Sequence, residues 1–206
     1  MTFPFNPSFP AQSSGSILTT RSNLPLTMGY TSGKYYGPSV PSGMTITTAG
    51  SPVTQANDWY VPFLCRKSAS FDRIAIFNTG AVANNFRLGI YADNGGGHPG
   101  ALVVDGGQVT TSGAAGDNAA TISVSLTGGQ LYWLTINCQT TTSFHSFAGT
   151  AGSELVSDFA QITNISNYID NTVCYYAFRA YAVFPATATA ANNCDVFYPY
   201  IRLRAA

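Results

Sequence analysis

The sequence predicts an all-β chain, an antiparallel β-sandwich preceded by an extended N-terminal arm. Three observations carry this. Between Phe71 and Asn137 the runs FDRIAIFN, NFRLGIYAD, ATISVSL and LYWLTIN follow one another with little spacer, each alternating apolar and polar residues with the period of a strand. Clusters of Gly, Asn and Pro separate the runs, as tight reversals require. No stretch of helical length repeats its apolar residues at a period near 3.6.

Residues 1–35 form the arm. Pro4, Pro7, Pro10 and Pro25 deny it a helix or a central strand, so it is expected to run extended. Its composition alone would suit a disordered segment, but spaced apolar residues (Phe3, Phe5, Phe9, Ile17, Leu18, Leu24 and Leu26) read as anchors that bury on a partner. The competing reading is that the arm wraps its own domain. Gly33 to Gly43 then leads into the domain, residues 36–206. Strands are expected at 44–48, 58–65, 70–77, 85–92, 101–104, 107–111, 119–126, 130–138, 173–184 and 195–203. Residues 139–172 read as a long loop, within which Ser153 to Ile165 could form one short helical turn through Leu155, Phe159 and Ile162.

Alternation sets the direction of these strands. In 86–92, Phe86, Leu88 and Ile90 share one face and Arg87 and Tyr91 the other. Two segments, LYWLTI at 131–136 and CYYAFRAYAVF at 174–184, carry large apolar groups on both faces. A two-layer sandwich buries one face only, so the second is expected against a sister subunit, or under the loop 139–172.

The order of these runs resembles the jelly-roll module of tailed-bacteriophage virion surface proteins. The likeness rests on FDRI, RLGIYAD, a glycine-rich turn ending in Pro-Gly, ALVVDGG and LYWL, and spans roughly residues 30–140. The turn here, Asp93-Asn94-Gly95-Gly96-Gly97-His98-Pro99-Gly100, is longer by one residue between Asn-Gly and Pro-Gly than the family pattern. The resemblance implies a jelly-roll topology and a structural protein on the virion surface, as a capsid decoration, head fibre or tail fibre. It also implies a homo-oligomer, expected as a trimer, with other virion proteins as partners and a host surface glycan as a further one.

Composition points the same way on assembly. Charged residues make up 9% of the chain and cancel to a formal charge of zero, against about 25% in ordinary domains. No electrostatic attraction to nucleic acid or to an anionic membrane is expected, nor insertion into a membrane. With 12 Tyr and 13 Phe and a surface of Thr, Ser, Asn, Gln and Gly, the chain suits life packed against neighbours. The N-terminus lacks the basic start and apolar stretch of a secretion signal, so synthesis in the host cytoplasm is expected. Cys65, Cys138, Cys174 and Cys194 show no short metal spacing and read as buried thiols in a reducing cell.

Catalysis is not expected. The chain has one glutamate, Glu154, eight aspartates and two histidines. Asp58, Asp72 and Asp93 could in principle supply a carboxylate pair, yet they sit at strand starts and turns, where Asp is an ordinary structural residue. His98 reads as a solvated loop residue, and His145 as one at a sheet margin with Phe144 and Phe147 nearby. A calcium loop at Asp93 fails because Gly97 and Val104 stand where oxygen ligands are needed. No cofactor or metal is expected. Loop-borne Asn167, Tyr168 and Asp170 are the candidates for a glycan contact. A free carbohydrate-binding module or lectin is the alternative function.

Overall fold

The computed structural model describes residues 29–38, 45–80, 83–111, 113–148, 174–191, 193–195 and 197–206. The arm anchors from Phe3 to Leu26, the short turn within 153–165 and the glycan candidates Asn167, Tyr168 and Asp170 lie outside them. Among the described residues there are thirteen strands and no helix. They are β1 (Tyr35–Tyr36), β2 (Thr45–Val53), β3 (Asn57–Leu64), β4 (Ala69–Asn78), β5 (Asn85–Asp93), β6 (Pro99–Thr110), β7 (Gly116–Leu126), β8 (Leu131–Cys138), β9 (Thr142–Ala148), β10 (Cys174–Phe178), β11 (Asn193–Asp195), β12 (Phe197–Pro199) and β13 (Arg202–Ala205).

These strands make two antiparallel sheets. One joins β11, β10, β3, β8, β5 and β6 in that order. In the other, β4 pairs with β7 and β13, β13 with β1, and β9 with β2 and β12. The two inner faces share one core, in which Trp59, Val61, Phe63, Phe86, Leu88, Ile90, Leu134 and Ile136 of the first sheet meet Phe71, Ile74, Ile76, Ile122, Phe144 and Leu203 of the second. This is a sandwich-like arrangement, with apolar side chains alternating inward.

Local irregularities explain where the sequence pattern and the strands part. Phe71 and Ile74 both point into the core, although a regular strand would send them to opposite faces. A register shift between Phe71 and Arg73 accounts for this. The two segments expected at 101–104 and 107–111 form one strand, β6. Its register against β5 slips between Arg87 and Gly89, and Gly107 takes a left-handed φ of 81°. The Gly106-Gly107 pair that reads as a break is therefore a bulge within a continuous strand. Pro62 sits in β3, yet the β10 ladder covers only Asn57 to Tyr60, so the proline lies where β3 has become an edge on that side.

Three expectations are corrected. Residues 142–148 are strand β9, not loop. Their inward positions include Thr142 and Ser146 beside Phe144, so polar residues on the buried face hid the alternation. The segment expected at 195–203 is split, with β11 in one sheet and β12 and β13 in the other. The expected strand 173–184 stops at Phe178. Residues 179–191 turn back across the outer face of the first sheet, where Phe184 and Ala191 pack on Tyr60, Tyr91, Trp133 and Tyr175. The doubly apolar strands β8 and β10 are thus covered by the chain's own strap. The sister subunit and the loop 139–172 are not needed for it.

Candidate functional site

The outer face of the first sheet holds the densest polar cluster. Asp58 is fully buried on β3, and the Arg179 fork grips it, with Nη2 donating to Oδ1 at 2.9 Å and Nε donating to Oδ2. Tyr60 donates its hydroxyl to the same carboxylate at 3.3 Å. Burial pushes the Asp58 carboxyl above the usual carboxylate range, and the Arg179 fork offsets part of that push. The strap hangs on this pair. Arg179 also donates to the carbonyls of Val183 and Ala182 at 3.2 and 3.3 Å, and lies 5.3 Å from the Phe184 ring centroid.

Further along, Tyr91 donates to the Pro185 carbonyl at 3.0 Å. Asp105 accepts from Arg87 at 2.9 Å and from the Phe184 amide at 3.3 Å. Backbone bonds tie Leu102 to Ala186 and Ala188 to Gly100. Gly89 makes room for the strap, since a Cβ there would come within 2.9 Å of the Phe184 ring. The Arg179, Tyr91 and Asp105 side chains and the backbone bonds of this cluster hold the strap to the sheet.

Among the described residues, Asp72, Asp93 and Asp117 are engaged as well. Asp72 pairs with Arg204 at 2.6 Å, and Asp117 with Arg202 at 2.6 Å. Asp93 accepts the Trp133 indole N–H at 3.0 Å and the Gly95 amide at 2.7 Å, while Asn94 accepts the Gly96 amide at 2.8 Å, so both close the glycine-rich turn on itself. His98 is not a solvated loop residue as the sequence suggests. It is half-buried, with its ring stacked on Tyr175 at 4.6 Å. His145 stacks on Phe77 at 4.2 Å. Among the described residues no three His, Cys, Asp or Glu side chains gather as a metal site. Cys65, Cys138 and Cys174 are buried, and the Cys65 and Cys138 thiols are free.

A concavity with binding character lies elsewhere on the described surface, where the chain enters the domain. An open cleft of about 320 Å³ is lined by Gly29, Tyr30, Thr31, Tyr35, Tyr36, Gly37, Phe63, Leu64 and Arg66. Its walls are fixed. The Tyr30 ring meets Tyr36 edge-on at 4.8 Å and Phe71 at 5.1 Å, and its hydroxyl accepts the Arg66 amide at 3.0 Å. Burial pushes the Tyr30 phenol up to about 12. Tyr36 accepts the Thr31 amide at 2.7 Å. Tyr35 stays 43% exposed, with the Arg202 guanidinium 5.5 Å from its ring centroid. Such a surface offers rigid aromatic faces and a cation at Arg66, but no nucleophile paired with a base. It is suited to holding a ligand.

None of these cleft residues was singled out from the sequence. The signal that could have found them is the aromatic density of Tyr30, Tyr35 and Tyr36 directly after the arm. The cleft needs Phe63 and Arg66 as well, and only the docking of residues 29–37 beside the end of β3 brings these together. No protein-family model matches the chain, and no curated protein matches it significantly.

Proposed function

We propose that this chain is a structural protein of the surface of a tailed-phage virion, a capsid decoration, head fibre or tail fibre that attaches through its N-terminal arm. The observation that carries the reading is the placement of the resembling motifs. FDRI lies on β4, RLGIYAD on β5, ALVVDGG on β6 and LYWL on β8, in an antiparallel fold of two facing sheets. The chain moves repeatedly from one sheet to the other, which supports a jelly-roll reading of the sandwich. Among the described residues, the carboxylates are occupied in ion pairs and turns, which favours an assembly role.

In this reading Phe3, Phe5, Phe9, Ile17, Leu18, Leu24 and Leu26 bury against another virion protein. Phe178 and Val183, 74% and 65% exposed, are where the domain would meet sister subunits in a trimer. Asn167, Tyr168 and Asp170 remain the residues assigned to a host glycan. The test is immunogold labelling of purified phage particles with an antibody against residues 36–206. Label on the head supports decoration or head fibre, and label on the tail supports host attachment. Particles without label overturn the virion reading and leave the free lectin in its place.

A further inference from the structure

Two features of the chain fit each other. Pro4, Pro7 and Pro10 recur every third residue, which is the repeat of a polyproline II helix, and in such a helix all three would share one edge. Aromatic-lined grooves take such edges, because the rings pack on the pyrrolidines and the unpaired backbone carbonyls accept bonds from flanking donors. The cleft of Tyr30, Tyr35, Tyr36 and Phe63 has those rings, and exposed Arg66 is a donor at its rim. Residues 1–28 contain no Asp or Glu, so nothing in them seeks the Arg66 charge as an ion pair. Backbone carbonyls are the acceptors on offer.

We infer that the cleft is the berth of the chain's own Pro4 to Pro10 segment. Connectivity favours the same chain over a second copy. Gly29 is itself part of the cleft wall, and residues 11–28, 18 in number, separate it from Pro10. A flexible segment of that length has an r.m.s. span of roughly 21–25 Å and a limit near ~60 Å when fully extended. Returning to the cleft is therefore unstrained, and the effective concentration of the tethered segment is on the order of millimolar. A second copy at micromolar concentration cannot compete with that for the same site. The berth is also cheap to fill, because the rings are held by Phe71, Arg202 and the Thr31 amide before anything binds.

This goes beyond the assembly reading, since the berth is occupied before any particle is met. The test uses the full chain in dilute solution with no phage present, so it fails or succeeds apart from the immunogold experiment. A chain carrying carbon-13 in both proline and tyrosine is expected to show nuclear Overhauser contacts between arm prolines and the Tyr35 and Tyr36 rings. These contacts should vanish in the Pro4→Ala, Pro7→Ala, Pro10→Ala triple variant, provided its thermal midpoint matches the parent. They should also vanish in Tyr35→Ser, provided its thermal midpoint matches the parent. A 1:1 mixture of proline-labelled and tyrosine-labelled chains should show none. Contacts in the mixture would mean that copies exchange arms, and no contacts in the doubly labelled chain would mean an empty berth. Either result overturns the inference.

Discussion

Replacing Arg179 with Met tests the account of the strap most severely. The variant keeps an unbranched apolar stem but removes both bonds to Asp58, the two bonds to the Ala182 and Val183 carbonyls, and the cation beside Phe184. Asp58 has no solvent exposure, so its carboxylate is left with the Tyr60 hydroxyl at 3.3 Å and the Asn137 amide, and with no counter-charge among the described residues. Hydrogen bonds to a charged group are worth about 1.5–3 kcal/mol each, and breaking one side of a buried ion pair costs about 3–5 kcal/mol. The expected loss is in that range, a large part of a typical total of about 5–15 kcal/mol. Urea unfolding reads it directly, because Trp59 and Trp133 are both buried in the same sheet and report the transition by fluorescence.

The loss should also depend on pH. Burial already raises the Asp58 pKa in the parent chain, and without Arg179 it rises further above the unfolded value of about 3.9. A group raised on folding favours the folded state where it is protonated, so its contribution is lost as pH climbs through the folded pKa. The defect of Arg179→Met is therefore largest at neutral pH and shrinks as pH falls toward about 4. Adding Asp58→Asn recovers part of it at neutral pH, since a buried amide needs no counter-ion. A defect below about 1 kcal/mol, or one that is independent of pH, would refute the claim that a buried charge pair holds the strap.

Other perturbations follow from the same geometry. Gly106→Ala places a Cβ 2.9 Å from the Leu88 carbonyl and 2.9 Å from the Ala120 Cβ, where the two sheets approach at the β6–β7 side. Overpacking of this kind costs roughly 1–3 kcal/mol, read as a lower urea midpoint, and an unchanged midpoint would show that the sheets can part there freely. The buried phenols predict alkaline behaviour. Burial raises Tyr30 to about 12 and Tyr60 and Tyr91 higher still. Their protonated forms favour folding below about pH 10, and that stability is lost as pH climbs toward 12. Ultraviolet titration of the native chain should therefore show a class of tyrosines that ionises only with unfolding, and complete ionisation near pH 10 in the folded state would contradict their burial.

Side-chain alternation and turn composition by themselves determined the all-β class and the inward face of β5, because both depend on neighbours in sequence. Phe86, Leu88 and Ile90 had to share a face whatever lay opposite. The same logic marked Asp93 as a turn residue, since the Gly95 amide lies two residues on, whereas the partner of Asp72 is Arg204, 132 residues away. Tertiary structure decided what was not local. The polar inward residues Thr142 and Ser146 make a strand only because β2 and β12 flank β9. Tyr60, Tyr91 and Trp133 could have awaited a second subunit. It is Arg179 meeting Asp58, 121 residues away in the chain, that folds residues 179–191 over them. The cleft arises in the same manner, from rings at 30–36 set beside Phe63 and Arg66 by pairing of β1 with β13 at the far end of the sequence. Periodicity reports which face of a strand is apolar, whereas what covers that face depends on contacts between residues far apart in the chain.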